Sequence, residues 1–162
     1  MHIHASGSQG AGSRAVGDVS ATWSQVAALV SSVDAALGKW LTDTYRVGLT
    51  EYRALAYLSR EADKELRVND LAHRVSLNQS SVTRLVSRLE SKGLTRRDTC
   101  PDDGRGVYAV LTDDGETLVG EVRGPYEERV RDLLGGAAEH FPQLDARQVS
   151  QALTGIAALL NP

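Results

Sequence analysis

Cysteine occurs once in 162 residues, at Cys100. No intrachain disulfide is therefore available, and the usage suits a reducing compartment. Aromatic residues make up only 5% of the chain, so a core has to be aliphatic, built on Leu, Val and Ala. No apolar run approaches the roughly 20 residues that a membrane span needs. The opening stretch MHIHASGSQGAGSRAVG has no apolar stretch of the secretory kind, so residues 1–17 read as a flexible Gly/Ser/Ala tail and the expected location is cytoplasmic, with no membrane partner. His2 and His4 on such a tail are incidental, and neither a metal nor another cofactor is expected. An excess of positive charge is missing as well. The formal net charge is −3, which argues against a non-specific coat for nucleic acid.

What is present is the composition of a globular protein, 41% hydrophobic and 24% charged, in a length that suits one domain or a small domain with dimerisation arms. The charge is segregated. From Leu66 to Tyr108 there are eight bases and five acids, which leaves that span at +3 and the rest of the chain at −6. A basic centre between acidic ends is the distribution of a DNA reader with separate scaffold helices.

Apolar periodicity supplies the organisation. Over 20–44, Trp23, Val26, Ala27, Val30, Val33, Leu37, Trp40 and Leu41 recur every three or four residues and predict a long helix. A second helix follows the break at GLT, with Thr50 as its N-cap, and runs to about Glu61. READKELR then reads as a polar connector. Asn69 is placed to cap a short helix carrying Leu71, Ala72 and Val75. After the turn at SLN, Asn78 caps QSSVTRLVSRLESK, which Gly93 closes as a C′ glycine. Beyond it the period falls from 3.6 to 2, and LTRRDT and GVYAVLT predict a β-hairpin around the loop CPDDGRG. The chain returns to helix from about Asp113 to Ala138, interrupted at Pro125 and loosened at Gly135–Gly136. Asp145 caps a last helix to about Leu160. The fold class is mostly α with a small β-hairpin wing.

The helix after Asn78 divides sharply. Val82, Leu85, Val86 and Leu89 form one apolar stripe. Opposite lie Gln79, Ser80, Thr83, Arg84, Ser87 and Arg88, with no carboxylate among them. Helix, turn, divided helix and hairpin make a winged helix-turn-helix. Such a helix offers Gln for adenine, Arg for guanine and Ser or Thr for several base edges in the major groove, while the free N–H groups at its start suit a phosphate.

Residues 49–115 resemble the MarR family of transcription regulators. The resemblance is carried by Ser80, Ser81, Val82, Thr83, Arg84, Gly93, Leu94, Arg96, Asp103, Arg105, Leu111, Thr112 and Gly115 at the family's spacing. It implies a winged helix-turn-helix domain over 47–112, and a helical dimerisation region formed by 18–46 and 113–162. The homodimer it implies binds a pseudo-palindromic operator in double-stranded DNA, with repression as the default outcome. The implied DNA-binding residues are Asn78, Gln79, Ser80, Ser81, Thr83, Arg84 and Arg88 on the helix. Arg96 and Arg97 on the strand meet phosphate, and Arg105 stands at the wing tip, braced by Asp103. A small aromatic or phenolic effector is a further implied partner, with Trp40, Tyr45, Tyr52 and Arg53 as candidate lining.

Rival readings are weaker. An enzyme would use Cys100 as a nucleophile or Asp102 and Asp103 as metal ligands or a paired acid and base. Acidic neighbours raise a thiol pKa rather than lower it, and no further ligands accompany the two aspartates. A redox-responsive regulator acting through Cys100 meets the same objection. A winged-helix module for protein interaction alone would have no reason to keep the Gln/Ser/Thr/Arg face.

Overall fold

The computed structural model describes residues 19–99, 104, 106–140 and 145–160. In chain order the elements are α1 (Val19–Tyr45), α2 (Leu49–Arg60), β1 (Glu65–Arg67), α3 (Val68–Arg74), α4 (Gln79–Ser91), β2 (Thr95–Thr99), β3 (Val107–Leu111), α5 (Asp113–His140) and α6 (Ala146–Leu160). The class is the expected one, mostly helical with a small sheet.

The sheet has three strands in the order β1-β3-β2, not two. Residues expected to form only a polar connector include β1, whose Glu65, Leu66 and Arg67 pair antiparallel with Val110, Ala109 and Tyr108 of β3. Three residues with one apolar side chain give no periodic signal. The ladder is dictated by the partner strand, which offers an edge to whatever backbone passes beside it.

Helix ends follow from local chemistry, and two differ from expectation. At α2 the N-cap is Gly48 rather than Thr50. Gly48 has no side chain to cap with, and the carboxylate of Glu51 reaches back instead, accepting from the Gly48 N–H at 2.9 Å. At α3 the chain passes from strand to helix at Arg67, so Asn69 lies inside the helix and Val75 just beyond its end. Asn78 does cap α4: its Oδ1 accepts from the Ser81 N–H at 2.9 Å. Gly93, at φ 71°, closes the same helix. Its N–H donates to the Glu90 carbonyl and that of Leu94 to the Leu89 carbonyl, the paired bonds of a left-handed C-terminal turn.

Helix α5 is continuous through Pro125, where a break was expected. Pro125 and Glu121 are both exposed, so the Glu121 carbonyl that loses its partner can be hydrated. Asp145 caps α6 as expected, accepting from the Arg147 N–H at 2.8 Å. Gly115 on the first turn of α5 has a steric reason to be glycine. A Cβ there would sit 2.2 Å from the Leu94 carbonyl oxygen and 2.6 Å from a Leu111 methyl.

The main core is aliphatic, as the scarcity of aromatics requires. Leu55 and Leu58 of α2, Leu71 of α3, the full α4 stripe of Val82, Leu85, Val86 and Leu89, Ala109 and Leu111 of β3, and Val119 of α5 close on one another. A second cluster gathers Leu41, Val47, Tyr52 and Val122, with Trp40, Tyr45 and Tyr126 packed against it. The outer helices differ. Trp23, Val26 and Val30 on α1 and Leu153, Ile156, Leu159 and Leu160 on α6 are exposed. Among the described residues no helix is long and apolar enough to cross a membrane.

Candidate nucleic-acid interface

Helix α4 is held from behind by its buried stripe, and that fixes what its other face offers. Gln79, Ser80, Thr83, Arg84, Ser87 and Arg88 are exposed, and Ser81 is half-buried. The hydroxyls are already oriented. Ser80 donates to the Asn78 side chain at 3.0 Å, Thr83 to the Gln79 carbonyl at 2.8 Å and Ser87 to the Thr83 carbonyl at 3.0 Å. Their protons are thus spent on the helix and its cap, so toward a ligand these hydroxyls can act only as acceptors, and that of Ser87 already accepts from Arg97. Arg84 has no hydrogen-bonding or ion-pair partner among the described residues, so its guanidinium is available to a ligand.

The other arginines are committed to differing degrees. Arg97 lies against α4, donating to Glu90 at 2.9 Å and to the Ser87 hydroxyl at 2.7 Å. Arg96 pairs with Asp98 at 2.9 Å. That guanidinium, followed by the Thr99 N–H, holds the Asp98 carboxyl below its usual range. Arg88 turns toward α2, its Nε 3.3 Å from Glu51.

Between α4 and the base of the hairpin lies a cleft of about 660 Å³ lined by Arg67, Asn69, Gln79, Thr83, Arg97 and Gly106, with Val68, Val86 and Val107 among its apolar walls. Sequence reading missed Arg67. Its Nε donates to the Tyr108 hydroxyl at 3.1 Å, and its guanidinium lies 5.8 Å from the Tyr108 ring centre. The signal was available only through the β1–β3 pairing, which places Arg67 opposite Tyr108. Asp103 and Arg105, the expected brace and tip of the wing, and Cys100 lie outside the described residues.

The four residues expected to line an effector site separate into two groups. Tyr52 and Arg53 border a cleft of about 210 Å³ with Ala56, Tyr57, Arg60, Arg123, Tyr126 and Glu127. Trp40 and Tyr45 do not line it; ring edge to ring face with centres 5.4 Å apart, they pack against the second apolar cluster, to which Tyr52 also belongs. Arg53 is held by a two-pronged bond to Asp34, at 2.7 and 3.0 Å. Burial, and then the neighbouring Tyr126, pushes the Tyr52 hydroxyl above its usual pKa.

A helix whose polar face is free of carboxylate over its first two turns, fixed by its apolar back beside a hairpin, is the arrangement that the comparisons with known proteins match. The family model described as MarR family matches residues 48–107, which take in α2 through the start of β3. This stretch of the chain is similar to the MarR family. Among curated relatives it is 32% identical over 108 residues to the HTH-type transcriptional regulator PecS of Dickeya dadantii (strain 3937), an alignment covering 66% of this chain and 64% of that protein. Two solved Streptomyces coelicolor structures share the fold across nearly the whole chain. The MarR family transcriptional regulator Sco3205, solved in complex with DNA, matches with a TM-score of 0.70 at 25% identity, covering 88% of each chain. The MarR family transcriptional regulator AbsC matches with a TM-score of 0.70 at 25% identity, covering 91% of this chain and 98% of that one. MarR proteins are regulators and not enzymes, so the catalytic readings of Cys100, Asp102 and Asp103 are set aside.

Proposed function

We propose that this protein is a DNA-binding regulator of transcription, and a repressor, that reads a pseudo-palindromic operator as a homodimer. In this reading residues 47–112 form the reader, and residues 18–46 with 113–162 form the dimerisation region. Helix α4 enters the major groove, and the wing carries Arg105, oriented by Asp103, to the adjacent minor groove, where a narrow groove concentrates negative potential. Asn78, Gln79, Ser80, Ser81, Thr83 and Arg84 face the bases and nearest phosphates from α4. Arg88, Arg96 and Arg97 add phosphate contacts whose energy is salt-dependent and blind to sequence.

The observation that carries this reading is the α4 face itself: exposed, without carboxylate over its first two turns, with Gln79 and Thr83 lining the wing cleft and Arg84 without a partner among the described residues. Sco3205 was solved with DNA bound, which supports the same use of the same fold here. The test is selection of bound duplexes from a random pool at stated salt, followed by mobility shift. Arg84→Ala should cost about 1–3 kcal/mol and relax the preference at one base pair. Arg105→Ala should weaken binding with the dimer intact. If both variants bind the selected duplex as the unaltered chain does, the reading fails. Asp103→Ala should also weaken binding although it removes a negative charge, and tighter binding would show that Asp103 only repels DNA.

The effector in this reading is a small aromatic or phenolic compound seated in the cleft beside Tyr52 and Arg53. Tyr57, Tyr126, Arg60 and Arg123 supply further ring faces and positive charge there. The compound releases DNA only if it binds the DNA-competent and incompetent forms with different affinity. A compound screen for release of the selected duplex checks this, with Arg53→Ala and Tyr126→Ala expected to abolish the response.

A further inference from the structure

Glu51 is the only buried acid among the described residues, its side chain 7% exposed. Three donors converge on it. The Gly48 N–H lies 2.9 Å from Oε2, Lys92 Nζ 2.7 Å from the same oxygen and Arg88 Nε 3.3 Å from Oε1. Lys92 Nζ also donates to the Arg46 carbonyl at 2.9 Å. Arg46, at φ 60°, forms the bend between α1 and α2. One carboxylate and one ammonium therefore tie the C-terminal end of α4 to the corner where the N-terminal helix meets the reader.

Capping α2 does not need this arrangement, since the Gly48 N–H alone would satisfy that role. Elsewhere α4 is anchored by the aliphatic stripe from Val82 to Leu89, which has no direction of its own, and by the bonds from Arg97 to Glu90 and Ser87, which tie it to β2 and not to the α1–α2 corner. Taking a carboxylate out of water is costly, and buried ion pairs are better attested as devices that fix orientation or register than as sources of net stability. The hub supplies the direction that the stripe lacks.

We propose that Glu51 and Lys92, with Arg88, are positioning residues that set the angle of α4 against α1. They thereby set the separation at which the α4 helices of two copies meet DNA. The proposal rests on the DNA-reading dimer above. Neither residue has to touch a base for this; the readout is geometric, since half-site spacing mirrors the distance between recognition helices.

The experiment uses the full chain and duplexes carrying two selected half-sites with spacers lengthened or shortened by single base pairs. The unaltered protein should prefer one spacer. Lys92→Met leaves the Glu51–Gly48 cap in place, and it should reduce the preference for that spacer over its neighbours by roughly tenfold, the scale of one directional ionic hydrogen bond. Glu51→Gln should flatten the same profile, and Lys92→Arg should restore it. If Lys92 were only a phosphate contact, Lys92→Met would weaken every duplex alike and lower the salt slope by about one. That result, with the spacer profile unchanged, overturns the proposal. Should Glu51→Gln fail to fold, Lys92→Met decides alone. An unaltered chain that binds DNA but is indifferent to spacing also overturns it. One that binds no DNA removes the reading underneath, a failure distinguishable from the other two.

Discussion

The reader and the outer helices draw on the same residue types and use them in opposite ways. In the reader, Leu55, Leu85 and Leu89 are wholly enclosed. On α1 and α6, Trp23 is 68% exposed and Ile156 52%, although Leu37 and Leu41, farther along the same apolar set of α1, are buried. Periodicity thus says which face of a helix wants cover, and not whether the same chain provides it. A unit whose stripe is closed by its own chain can stand alone. A helix whose stripe stays open leaves apolar area that monomeric proteins rarely expose in contiguous patches, which is why the proposed dimer falls on these helices.

The largest effect that would test this contrast is truncation inside the reader. Leu85→Ala removes a fully buried side chain at the centre of the α4 stripe and should cost about 2–5 kcal/mol, seen as a lower midpoint in urea unfolding followed by circular dichroism. Gly115→Ala should cost about 1–3 kcal/mol by overpacking, because the neighbour in the way is the Leu94 backbone rather than a side chain that can swing aside. An unchanged midpoint for Gly115→Ala would mean that α5 can slide off the α4–β2 connection.

A pH titration separates the polar hub from the aliphatic core around it. Burial raises the Glu51 pKa, but the hydrogen bond from Lys92, then that from the Gly48 N–H and the charge and hydrogen bonds of Lys92 and Arg88, outweigh it, so the net displacement is below the usual 4.5. A carboxyl with a depressed folded pKa adds stability that is present above its unfolded value and lost as pH falls through the folded one. The stability gap between the unaltered chain and Glu51→Gln should therefore be widest near neutral pH and shrink below about pH 4.3. A gap that stays constant with pH would mean that the hub's charge contributes nothing to stability.

How much of this could be read from the sequence depended on how far apart the cooperating residues lie. The α4 stripe, the Asn78 cap and the Gly93 closure were legible because each is decided within one or two turns. Thr50 carries a hydroxyl that could cap α2 and Gly48 carries no capping group, yet Gly48 is the cap and the group in use belongs to Glu51. Strand β1 was invisible because its pairing comes from β3, more than forty residues on. The union of Glu51 with Arg88 and Lys92 spans 37 and 41 positions, so no local pattern reports it. Trp40 and Tyr45 show the same limit from the other side: an aromatic at helical spacing looks alike whether it packs in a core or lines a cleft.

The smallest effect on the lone chain should come from repeating the core truncation on an open stripe. Ile156→Ala on α6 removes a methylene-rich side chain comparable to that of Leu85, yet half of it already meets solvent. In dilute protein its cost should stay within about 0.5 kcal/mol. The concentration dependence is the sharper readout. If a second copy covers these stripes, the melting temperature of the unaltered chain must rise with protein concentration, because association stabilises the folded form by mass action. Ile156→Ala should flatten that rise while leaving the dilute value in place. A full core-sized loss at every concentration would show instead that α6 folds back onto its own chain, and the distinction between closed reader and open arms would disappear.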